Sequence, residues 1–176
     1  MKKILIVIFS LCSYQLIAQF TASSFTYNGV TYDVDLGEVG EAGRLFFIKN
    51  TANKSGTGYF PPVTGNYSDC SPSQVFDVRY LLNKAKEAIN GAIDAQTRYI
   101  IRNNETFEVR LTVTIENKIE PTFILKPRTI LTPADIYAMD MAIRQIPITF
   151  NPRGACVGIN LSSISTRLPN QPSLDQ

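Results

Sequence analysis

The chain contains no histidine, so neither a Ser-His-Asp or Cys-His nucleophile nor a histidine proton shuttle can be built, and acid–base work falls to carboxylates. Asp135 and Asp140 are five residues apart on one predicted helix, so their side chains point in different directions. Asp135 reads as a first-turn charge and Asp140 as a solvated one. Glu116 and Glu120 flank a predicted turn and read as wet. Asp33, Asp35, Glu38 and Glu41 in "DVDLGEVGE" have a spacing that hints at calcium. An EF-hand loop, however, wants another oxygen ligand where Gly37 sits and a glutamate where Arg44 sits. Alternate aspartates on the wet face of a strand are the simpler account. "GEVGEAG" lacks the lysine and the following helix of a phosphate loop. No catalytic residue, metal site or cofactor is expected.

Thiols and aromatics are the other reactive or sticky groups, and both depend on the compartment. "MKKILIVIFSLCSYQLIAQF" reads as a sorting signal: Lys2 and Lys3, an apolar centre, then small Ala18 at the cut, which makes Gln19 the new first residue. Ser10, Ser13, Tyr14 and Gln15 make the apolar run short and polar for a spanning helix. Residues 1–18 hold two lysines and no acid, so of 17 basic and 15 acidic residues the remainder keeps 15 of each. Neutrality of this kind offers no whole-protein attraction for nucleic acid or an anionic membrane. Export leaves Cys70 and Cys156, readable as a disulfide or as two buried thiols. Their closure would stabilise by about 4–5 kcal/mol on the chain-entropy model. Tyr59, Phe60 and Tyr67 sit in the Gly-, Pro- and Ser-rich stretch 51–73. They could contact a glycan or small ligand, or fold back over the core.

The elements that must carry these groups can be read from periodicity. Asn28-Gly29 between two β-branched and aromatic runs predicts a two-residue hairpin. "RLFFIKN" (44–50) reads as a third strand, and 51–73 as a long loop. A helix is predicted over 74–100, capped by Ser71 or Ser73, with Gly91 weakening it so that a kink or earlier end can occur. Lys84, Lys86, Arg79 and Arg98 read as its solvated face, and Asn103-Asn104 as a turn. "TFEVRLTVTIE" alternates strictly, with Phe107, Val109, Leu111, Val113 and Ile115 on one side. A second strand follows, in which Pro121 and Pro127 suit an edge or the strand ends. Thr132 and Pro133 begin a helix whose apolar face is Ile136, Met139, Ala142, Ile143 and Ile146. Pro147 ends it, and "ACVGINLSSIS" is the last strand. The predicted class is α+β, an antiparallel sheet with two helices: an N-terminal hairpin, a helix, then a strand–strand–helix–strand unit. The expected organisation is a signal peptide over 1–18, one domain over 19–168 and a flexible tail over 169–176.

Residues 106–164 resemble the C-terminal domain of TonB-type proteins. "FEVRLTVTIENKIEPTFIL" resembles its opening strand pair, "ADIYAMDMAIRQIPITFNP" its helix with a proline-and-aromatic exit, and "GACVGINLSSI" its closing strand. The membrane anchor and Pro-rich spanner of that class are not in this sequence, so energy transduction is not implied. The resemblance implies a periplasmic or surface domain that binds an envelope protein or peptide through a sheet edge. The strand around Thr122, Ile124 and Lys126 is the expected edge. A long helix on a curved antiparallel sheet also describes cystatin-like and NTF2-like folds, and the signal style resembles that of Bacteroidetes exported proteins. The expected function is non-enzymatic partner binding in the envelope; glycan or small-ligand binding by the aromatic loop is the alternative.

Overall fold

Asn28 and Gly29 take φ of 48° and 78°, a left-handed pair that suits these two residue types. They join β1 (Ser24–Tyr27) to β2 (Val30–Glu38) in the predicted hairpin. The computed structural model describes residues 20, 23–38, 43–53, 77–104, 107–114, 117–127, 129–148 and 161–167, with backbone alone at 38, 102–104 and 161–167. β3 is Arg44–Asn50, the span read from sequence.

The helix predicted over 74–100 is two helices, α1 (Val78–Ala92) and α2 (Ala95–Asn104). Asp77 caps α1, accepting from the Tyr80 N–H at 2.9 Å; Ser71 and Ser73 lie outside the described residues. The break at Ile93 is extended, with φ −115° and ψ 150°. Asp94 then accepts from the Gln96 and Thr97 N–H groups and the Thr97 hydroxyl, capping α2. Those bonds hold its carboxyl below the usual range, the Thr97 hydroxyl foremost. Arg98 is therefore not part of a solvated face: its guanidinium donates to the Asn90 and Ile93 carbonyls, satisfying the end of α1. Asn103 and Asn104, read as a turn after the helix, are the last residues of α2.

β4 (Phe107–Val113), β5 (Ile119–Leu125), α3 (Pro133–Arg144) and β6 (Leu161–Arg167) complete the order. Thr132 and Asp135 form a reciprocal capping box with Pro133 at the first helical position, as the local sequence requires. The predicted last strand began at 155. Residues 155–160 lie outside those described, and β6 runs on through Thr166 and Arg167.

The six strands form one antiparallel sheet in the order β1-β2-β3-β5-β4-β6. The protein is thus α+β. α1 and α3 pack on one another; α3 also contacts β5 and β1, and α1 contacts β6. Between sheet and helices lie Val34, Ile48, Phe123, Leu125, Val109 and Leu111, with Leu81 and Ile89 of α1 and Ile136, Met139 and Ile143 of α3. β4 alternates as predicted, its odd-numbered residues buried and Arg110 exposed. On the other face the Phe47 ring lies across Gly37, where an added Cβ would sit 2.7 Å from Phe47 Cε2.

β5 is not an edge. It lies between β3 and β4, so Thr122 is paired with Lys49 and Arg110, and Ile124 with Phe47 and Glu108. Lys126 follows the end of the strand. The proline signal misled for a physical reason. Pairing with β3 ends at Thr122, and a strand residue aims its N and C=O toward the same neighbour. The Pro121 carbonyl accepts from Asn53 Nδ2 at 3.1 Å, so its missing donor falls just past the end of the β3 ladder, where none is needed.

Candidate functional site

Asp140 lies on the buried side of α3, one residue after Met139 and four after Ile136, and is fully buried. The solvated reading of this residue is overturned. Its Oδ1 accepts from Arg144 Nε at 2.7 Å, one helical turn on. Its Oδ2 accepts from Tyr32 Oη at 2.9 Å and Asn50 Nδ2 at 3.0 Å. The register places Tyr32 opposite Asn50 on β2 and β3, and both project onto the face that α3 covers. Arg144 also donates to Asn53 Oδ1, whose Nδ2 reaches the Pro121 carbonyl. Asn50 Oδ1 accepts from the Ala52 N–H at 2.9 Å, and the Asn53 N–H bonds to the Asn50 carbonyl at 2.9 Å. One chain of bonds therefore joins β2, β3, β5 and α3.

The cluster is built to hold a charge still. A buried carboxylate is tolerated only with paired charge and filled acceptor sites; here Asp140 has three donors, one of them cationic. Burial, and then the Asp140 carboxylate, push the Tyr32 phenol well above its ordinary value of 10.0, so it stays a donor. Asp135 is occupied in the capping box, so it forms no acid–base pair with Asp140. Glu120, expected to be wet, is 4% exposed, because β5 is an interior strand buried on both faces; Glu116 lies outside the described residues. Tyr32, Asn50 and Arg144 were not singled out from the sequence, and Asn53 stood out there only as the start of an Asn-x-Ser triplet. Two signals were available: Asp140 falls among the apolar positions of α3, and Arg144 follows it at helical spacing.

Asp35 is exposed and pairs with Lys49 at 3.4 Å, in keeping with aspartates on an open strand face. Lys84 bonds Glu87 at 2.6 Å, and that contact raises its pKa. Among the described residues no cluster of three His, Cys, Asp or Glu could hold a metal ion, and no helix is long and apolar enough to cross a membrane. Cys70, Cys156, Tyr59, Phe60 and Tyr67 lie outside the described residues. Among the described residues the outer strands of the sheet are β1 and β6, and Thr122 and Ile124 lie on an interior strand that offers no open edge.

No family model matches the chain, and no curated protein matches it. A solved structure is similar to it, the crystal structure of a DUF5043 family protein from Bacteroides uniformis ATCC 8492 at 1.85 Å. The identity is 18%, the TM-score 0.57, and the match covers 92% of this chain and 92% of that one. At that identity the likeness is one of fold.

Proposed function

We propose that the chain is an exported, non-enzymatic domain that binds an envelope protein or peptide by accepting an extended segment of it at the outer edge of β6. The position of β6 carries this reading: seven residues at the end of the strand order, with β4 its only neighbour among the described residues. An edge strand offers a row of backbone donors and acceptors, and an added strand draws its affinity from them. Leu161–Thr166 contains no charge and no proline, two of the devices that blunt an edge; the strand ends at Arg167, and its pairing with β4 shifts register between Leu111 and Val113. β1, the opposite edge, has only four residues. Absence of histidine and the saturated state of Asp140 support a non-enzymatic role. The N-terminal signal motivates export, and Phe20, which is 4% exposed and part of the core, is compatible with it. A cut after Ala18 keeps that residue.

The test places a photo-reactive residue at Ser165 of chain 19–176 in its own cell envelope. One reproducible partner is expected to cross-link, with the yield lowered by Ser163→Lys. A folded protein that cross-links through β6 to nothing above background overturns the reading.

A further inference from the structure

We propose that the Asp140 cluster is a conformational bolt: it sets the register of α3 on the sheet and, through Arg144 and Asn53, fixes how the chain leaves β3. The apolar face of α3 cannot do this alone. Ile136, Met139 and Ile143 repeat at helical spacing, so a slide of one turn, about 5.4 Å, still lays apolar side chains on the sheet. The same slide carries Asp140 to where Ile136 sits and strips it of Tyr32 and Asn50. A buried carboxylate without donors is far more costly than a mispacked methyl group. The polar cluster thus excludes the neighbouring registers, as a buried polar residue excludes wrong registers in helix pairs.

The outward leg has a separate geometry. Asn53 is three residues beyond the Asn50 that bonds Asp140, and it receives Arg144 on one end of its amide and holds the Pro121 carbonyl with the other. The Asn53 N–H closes a turn onto the Asn50 carbonyl. Four groups from β3, β5 and α3 therefore hold residues 50–53, the last described residues before the connection to α1. Asn53 is 6% exposed, and no apolar side chain of its size could satisfy both partners. Asn53 acts as a positioning residue, and Asp140 as the group that orients Arg144 toward it.

Residue-resolved amide hydrogen exchange separates register-setting from simple stabilisation. The paired apolar variant Asp140→Leu with Arg144→Met leaves Tyr32 Oη and Asn50 Nδ2 without their acceptor, so its thermal midpoint is expected to fall, and the pattern of exchange rather than the midpoint is the readout. Amides of 50–53 and 136–144 are expected to exchange about tenfold faster, with β4 and β5 unchanged. Parent-like protection at 50–53 and 136–144 would overturn the bolt, and so would failure to fold or uniform loss of protection, which mark a stabilising cluster instead. Asn53→Ala tests the outward leg independently and leaves every donor to Asp140 in place. Faster exchange confined to 50–53 is expected; unchanged exchange there would overturn the positioning role.

Discussion

At the scale of single residues, the most consequential group is a phenol. Tyr32 is fully buried and donates to Asp140, and its pKa is pushed up from 10.0 by burial first and by that carboxylate second. The folded chain keeps a proton that the unfolded chain releases above about pH 10. Its contribution to stability is therefore fully present below the unfolded value and falls as pH rises beyond it. Tyr32→Phe should cost about 2 kcal/mol at neutral pH, the worth of a bond to a charged acceptor. It should also make the alkaline loss of stability shallower than in the parent. Urea unfolding of both chains on either side of pH 10 checks this; parallel pH curves would mean that Tyr32 titrates no differently in the folded and unfolded chains. None of this could be read from a strand pattern. Tyr32 fits its alternating strand as an ordinary aromatic, and only the pairing of β2 with β3 and the docking of α3 give its hydroxyl a partner. Asp140 reads as solvated because a charge on a helix is usually outside, yet it stands between Ile136 and Ile143 on the side that α3 buries.

At the scale of elements, local chemistry was legible wherever both partners lie within a few residues. The Asn28-Gly29 turn, the strict alternation of β4 and the Thr132-Pro133 helix start all stand as read. The junction of α1 and α2 was legible in part: Gly91 marked a kink or an earlier end, and α1 ends at Ala92, but the periodicity runs across the break and hides the second helix. What breaks the helix is Asp94, which draws the Gln96 and Thr97 donors into a new cap, together with Arg98 reaching back to the carbonyls of α1. β5 failed for a different reason. An interior strand with a proline looks like an edge until Asn53, 68 residues away, is seen to meet the Pro121 carbonyl. The capping box yields a prediction at this scale. Thr132→Ala removes the acceptor for the Asp135 N–H and the hydroxyl that donates to its carboxylate. Stability should fall by about 1 kcal/mol, while Thr129→Ala, just outside the box, should cost less. Because the Thr129 hydroxyl itself accepts from the Leu131 N–H, equal losses in chemical denaturation would show that the box contributes no more than a hydroxyl bonded to a backbone N–H.

At the scale of the whole molecule, an aromatic cluster ties Phe20, the first described residue, into the core. Phe20 stacks obliquely on Phe25, with ring centroids 5.5 Å apart, and meets Phe46 edge-on at 6.3 Å. Phe25 in turn stacks on Tyr32 at 5.0 Å, so the first described residue is tied through the Phe25 ring to the phenol that reaches Asp140. Large aromatics bury more area than any other side chain, and ring pairs add to that burial. The cluster therefore makes the sheet's β1–β3 half depend on a residue two positions past the expected cut. Phe20→Ala should cost about 3 kcal/mol, the lower part of the range for truncating a buried phenylalanine. The chain 19–176 should be as stable as one that retains residues 1–18. A third chain, starting at Ser23, should fall by at least as much as Phe20→Ala, because it loses the ring along with the backbone that leads it there. Thermal unfolding of the three, with the parent as reference, decides the matter. A stable chain from Ser23 would mean that the ring fills space the core can close without it, and that the unit begins at β1.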